Sequence, residues 1–160
     1  MLVIFLKKTN IIDFILFISI FYVRMNRLNW EEYALELARV AALRSEDPFI
    51  QVGACVLRHD NSVAGLGYNG APPGIQIDWS DRDERRKRVV HAEVNALRYA
   101  KPGECKLLAC NLLPCNNCLK MISSYGIKKV IFSKIYDLDK SSLKLAKEFG
   151  IELIQITDED

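Results

Sequence analysis

Leu107-Leu108-Ala109-Cys110-Asn111-Leu112-Leu113-Pro114-Cys115-Asn116-Asn117-Cys118 passes from an apolar run straight into a helix start. Leu107 to Leu113 reads as a buried strand. Pro114 suits the first position of a helix, where a backbone N–H has no partner to lose. Cys115 to Tyr125 reads as that helix, ended by Gly126. Downstream, Lys128 to Ser133 is a strand, Ser141 to Phe149 a helix closed by Gly150, and Ile151 to Ile156 a last strand. Strand and helix therefore alternate, which favours parallel strands with covering helices. Upstream, Asn29 and Glu32 form a capping pair ahead of a helix over residues 30–44, where Tyr33, Leu37, Val40 and Ala41 recur at helical spacing. Ser45-Glu46-Asp47-Pro48 ends it. Gly53 to Arg58 and Ser62 to Tyr68 form the arms of an antiparallel hairpin. Asn69 to Gly74 is a rigid loop, residues 75–90 are polar without a clear period, and Glu93 to Ala100 is a helix stopped by Pro102-Gly103. The pattern predicts an α/β fold: a mixed sheet of about five strands with helices on both faces.

The chain has 160 residues, enough for one domain with a real core. Its net charge is only +2, so nothing global points to nucleic acid or a membrane surface. Five cysteines are an odd number, and Cys115 and Cys118 have a metal-like spacing, so a disulfide framework is not expected. Cys55, Cys105 and Cys110 read as buried strand cysteines, and free thiols suit a cytoplasmic location. Ile11 to Val23 is apolar apart from Asp13 and is shorter than the roughly 18 residues of a spanning helix. Residues 1–24 are read as a hydrophobic extension, with a true start at Met25 and a membrane anchor as the sharper alternative. Residues 25–160 then form the functional domain.

The chemistry concentrates at two places. His91-Ala92-Glu93 opens one helix and Pro114-Cys115-Asn116-Asn117-Cys118 opens another. Cys115 and Cys118 are three apart, so both sulfurs can face one ion. His91, Cys115 and Cys118 make a three-ligand zinc site that leaves one position for water, as catalytic zinc sites do; structural sites take four protein ligands. Glu93, in the first turn after His91, is not needed as a ligand and can shuttle protons between that water and a substrate. His-x-Glu followed by Pro-Cys-x-x-Cys is the signature of zinc-dependent nucleobase deaminases.

Across residues 27–156 the chain resembles the deoxycytidylate (dCMP) deaminase family of the cytidine deaminase superfamily. Gly67-Tyr68-Asn69-Gly70-x-Pro72 and His91-Ala92-Glu93-Val94-Asn95-Ala96 carry the resemblance to that branch, supported by Gln51-Val52-Gly53-Ala54-Cys55 and Gly126 to Phe132. The resemblance implies a three-layer α/β/α sandwich and a hydrolase acting on a cyclic amidine, converting dCMP to dUMP with release of ammonia. It implies Zn2+ on His91, Cys115 and Cys118, proton shuttling by Glu93, substrate contacts from Asn69 and Tyr136, and a homo-oligomer. It also implies nucleotide effectors, with Mg2+ as a companion ion, at a loop containing Asn69, Gly70, Pro72 and Gly74.

Other features have plainer readings. Asp81 to Arg88 ends in a basic cluster that could hold a substrate phosphate but is more often a solvated helix face. Gly65-Leu66-Gly67 reads as strand packing, Trp30 and Trp79 as packing anchors, and His59 as a solvated turn residue. Two other function classes share the motifs. A tRNA deaminase typically carries Met-Cys-x-Gly-Ala at the second half-site, where this chain has Asn117-Cys118-Leu119-Lys120-Met121. A silent nucleotide sensor would not need Glu93. A small-molecule nucleotide is therefore the expected partner, with no nucleic acid, and no membrane unless residues 1–24 act as an anchor.

Overall fold

The computed structural model describes residues 27–136 and 141–157; the expectations for residues 1–24 lie outside them. Helix α1 spans Trp30–Ala42, followed by β1 (Gly53–Arg58) and β2 (Val63–Tyr68). Next come α2 (Arg82–Arg88), α3 (Ala92–Leu97), β3 (Cys105–Leu112) and α4 (Asn116–Ser124). Strand β4 (Lys129–Lys134), helix α5 (Ser141–Glu148) and strand β5 (Glu152–Gln155) complete the order. The strands form one five-stranded sheet in the order β2-β1-β3-β4-β5. Strand β1 pairs antiparallel with both β2 and β3, whereas β3–β4 and β4–β5 are parallel. The mixed sheet is thus a hairpin joined to a β-α-β-α-β run, as the sequence pattern predicts.

Period-two alternation divides the core between the faces. Ala54, Val56, Leu108, Cys110 and Val130 point to α3, α4 and α5, where Ala96, Leu119, Ile122 and Ala146 meet them. Cys55, Leu57, Leu107, Ala109 and Ile131 point to α1 and pack on Ala34, Leu35 and Ala38. These are the three α/β/α layers. No helix among the described residues is long and apolar enough to cross a membrane.

Local chemistry explains most boundaries. The Asn29 side chain accepts from the Glu32 N–H at 2.8 Å and the Glu32 carboxylate accepts from the Asn29 N–H at 2.8 Å, closing the expected capping box. The buried stripe of α1 is Ala34, Leu35, Ala38, Ala41 and Ala42. Tyr33 and Val40, assigned to that stripe by spacing, are 38% and 62% exposed. A Cβ on Gly53 would lie 2.0 Å from the Ala38 carbonyl, so helix and sheet backbones nearly touch and small side chains are selected. The polar segment before His91 forms α2, capped by Asp81, whose side chain accepts from the Asp83 and Glu84 N–H groups. Helix α3 is shorter than expected, ending at Leu97 rather than Ala100.

Gly65 and Gly67 seat α3 on β2. Cβ atoms there would lie 2.3 Å from the Ala96 and Ala92 carbonyls. Strand packing is therefore their role. Gly67→Ala should force α3 off the sheet, lowering stability by about 1–3 kcal/mol, as overpacking does. A urea titration read beside zinc content should show both falling together, because α3 carries His91.

Candidate active site

Strand β3 delivers the second half-site. Past Leu112, Leu113 and Pro114 are buried, and Cys115 becomes the N-cap of α4 with extended backbone (φ −70, ψ 169). His91 is the N-cap of α3 with matching backbone (φ −70, ψ 152). Neither side chain makes a capping hydrogen bond, which leaves sulfur and imidazole available. Cys118, in the first turn of α4, is buried. His91 Nδ1 lies 3.6 Å from Cys115 Sγ and 3.4 Å from Cys118 Sγ. All three donor atoms fall within 4.8 Å of one another.

These separations match zinc. Tetrahedral angles with Zn–S near 2.3 Å and Zn–N near 2.0 Å place S and N about 3.5 Å apart. Among the described residues no other group of three such side chains could hold a metal, and no fourth donor joins this one. Cys55, Cys105 and Cys110 are buried free thiols in β1 and β3, as expected for strand cysteines.

Hydrogen bonding and burial shift the four groups of the site in different directions. A hydrogen bond from Cys118, helped by His91, holds Cys115 down at about 3. The same bond to Cys115, together with burial, pushes Cys118 up. His91 is raised, chiefly by its hydrogen bond with Cys115. Glu93 is only 3% exposed. Burial raises its carboxyl, opposed by its backbone hydrogen bond and by the charge of His91. A divalent cation here would stabilise the deprotonated forms of all four groups.

His91, Glu93 and Cys115 form part of the wall of a cavity of about 710 Å³, within the range of small-ligand sites. Asn69 and Tyr136 also line it. Asn69 is 5% exposed, and its side-chain amide is already engaged: it accepts from the Val52 N–H at 2.8 Å and donates to the Ile50 carbonyl at 2.9 Å. It therefore fixes the 50–52 wall as well as facing the cavity. Tyr136 is 47% exposed. Gly70 and Pro72 instead line a second cavity of about 480 Å³ with Asn95, Arg98 and Tyr99, while Gly74 lines neither. The four residues of the expected effector loop are thus divided between two cavities and the surface. Sequence reasoning missed Asp47 and Phe49, which line the first cavity. The signal was an Asp-Pro turn in which the Asp47 carboxylate accepts from the Phe49 and Ile50 N–H groups at 2.8 and 3.1 Å.

Residues 28–134 match the model of the cytidine and deoxycytidylate deaminase zinc-binding region. The chain belongs to this family. Human deoxycytidylate deaminase is 38% identical over 133 residues, covering 74% of each chain. The dCMP deaminase of cyanophage S-TIM5, solved in complex with dCMP and dUMP, superposes with a TM-score of 0.71 at 25% identity, covering 82% of this chain and 99% of that one. A tRNA:A34 deaminase shares the fold at 18% identity and a TM-score of 0.51, covering 79% of this chain and 96% of that one.

His91→Ala and Cys115→Ala should each abolish retention of zinc through chelator dialysis and lower the melting temperature relative to the loaded parent. Metal affinity and folding are coupled through the ligands. Zinc analysis with thermal melts checks both; a parent-like zinc content in either variant would show the ligand set to be wrong.

Proposed function

We propose that this chain hydrolyses dCMP to dUMP and ammonia. The carrying observation is a three-donor metal cluster in a nucleotide-sized cavity, with a buried, unligated Glu93 beside it. Deoxycytidylate deaminases among its relatives support the substrate.

His91, Cys115 and Cys118 would hold zinc, which supplies a Lewis acid able to make water nucleophilic near neutral pH. Glu93 performs the proton work. Its carboxylate accepts a proton as water oxygen bonds to the ring carbon bearing the amine. It returns that proton to the adjacent ring nitrogen, then carries the proton of the new hydroxyl to the amine as the carbon–nitrogen bond breaks, leaving a carbonyl and releasing ammonia. Glu93 is 3% exposed, and its burial opposes the charge that a bound cation would favour, so the carboxyl is suited to both taking and giving a proton. Asn69 shapes the wall beside the ring and sugar, and Tyr136 lines the same cavity. We place the enzyme in the cytoplasm as a homo-oligomer, with an effector nucleotide and Mg2+ at the Gly70–Pro72 cavity.

Ammonia release from dCMP, CMP, deoxycytidine and a tRNA anticodon stem-loop tests the reading. Turnover of dCMP above the others is expected; preference for the stem-loop would overturn it, and silence on all four with zinc bound would leave a sensor. Glu93→Gln should keep zinc and the fold while lowering kcat by at least about 100-fold, the lower end of general acid–base contributions. Stopped assays on the zinc-loaded variant measure this, and retained turnover would remove Glu93 from the mechanism.

A further inference from the structure

We infer that Arg82, Arg85 and Arg86 of α2 form the element that selects a nucleoside monophosphate over the bare nucleoside. The inference rests on the proposed substrate and adds the residues that discriminate it. All three arginines line the cavity that contains His91 and Glu93. Their spacings, three and four residues, put them on one side of a short helix.

They are not equivalent. Arg85 is held: its guanidinium lies 4.2 Å from the centre of the Phe49 ring, and its Nη1 is 3.9 Å from Asp47 Oδ1. Asp47 is itself fixed by the Phe49 and Ile50 N–H groups, so its orientation is set by backbone. Arg85 Nε is buried and lacks a hydrogen-bond partner. A donor buried this way in a cavity wall is costly unless something fills it. Arg82 and Arg86 form no ion pair among the described residues, whereas Arg88 of the same helix pairs with Glu84.

The cavity lining carries three guanidinium groups and two carboxylates. The acids lining the cavity are Asp47 and Glu93. Asp47 faces Arg85, and Glu93 is buried at the metal cluster. Arg82 and Arg86 offer two guanidinium groups to a phosphate monoester, which carries nearly two negative charges at neutral pH. Guanidinium presents paired N–H donors to phosphate oxygens, and Arg85, already oriented by Phe49 and Asp47, stands beside Arg82 and Arg86 in the same wall. A nucleoside lacking the phosphate would make none of these contacts.

Binding of the product pair tests this without requiring turnover. Isothermal titration of the zinc-loaded protein with dUMP and with deoxyuridine should show dUMP binding tighter by at least about 10-fold, weakening as salt rises. The double variant Arg82→Gln/Arg86→Gln should lose about 10- to 100-fold in dUMP affinity, with deoxyuridine affinity changing less than about twofold. Unchanged dUMP binding, or equal losses for both ligands, would overturn the inference. So would tighter binding of a deoxycytidine oligonucleotide than of dUMP that is lost in the variant, since the arginines would then serve a polynucleotide. Phosphate-dependent dUMP binding in a protein that fails to deaminate dCMP would uphold the inference while removing the proposed reaction. Deamination of dCMP with arginine-independent dUMP binding would do the reverse.

Discussion

Helix α3 can lie against β2 only because two positions of that strand have no side chain. With Gly65 and Gly67 beneath it, the backbone of α3 rests on the sheet, and its first residues fall at a height set by van der Waals contact. His91 caps this helix and Glu93 sits in its first turn, so both inherit that placement. The opposing donors depend on β3, whose end runs through Pro114 into α4. A separation of 3.4–3.6 Å between imidazole and sulfur thus results from two independent docking events on the same sheet. Neither half-site is built by a flexible loop.

Much of this was legible before any coordinates, for reasons that differ by element. The β3–α4–β4 run was clear because apolar strand, proline start and glycine stop agree locally. The metal cluster was clear because its ligands are spaced by helix geometry and belong to types with few other reasons to meet. The face of α1 was misread. Tyr33 and Val40 are apolar and correctly spaced, but packing distance, set by Gly53 in a different element, chose alanines. The Asp47-Pro48 turn was visible in the sequence, but its place at the cavity was not, because Asp47 and Phe49 meet Arg85, distant in sequence and in a segment without period. Asn69, expected to contact the substrate, lines the cavity, yet its amide is engaged in holding backbone, a fact no motif contains.

The walls of the cavity follow one economy. Short polar side chains fix irregular backbone near the metal cluster: Asn69 ties residues 50 and 52, Asp47 ties 49 and 50, and Ser45 Oγ donates to the Asn69 carbonyl at 2.9 Å. These groups are buried and mutually satisfied, so the wall is rigid although it contains no regular secondary structure. Asn69 is followed at once by Gly70, whose backbone bridges Val90 next to His91. One continuous set of hydrogen bonds therefore joins the loop after α1, the loop after β2 and the start of α3.

The distribution of sulfur has a last consequence. Cys55, Cys105, Cys110 and Cys118 are buried, while Cys115 reaches solvent. Cys115 is held toward its thiolate, chiefly by the hydrogen bond from Cys118, and thiolates, not thiols, react with electrophiles and peroxides. Coordination would quench that nucleophilicity. Among the cysteines the exposed sulfur is thus the one that would anchor the ion, so the same atom would register its departure.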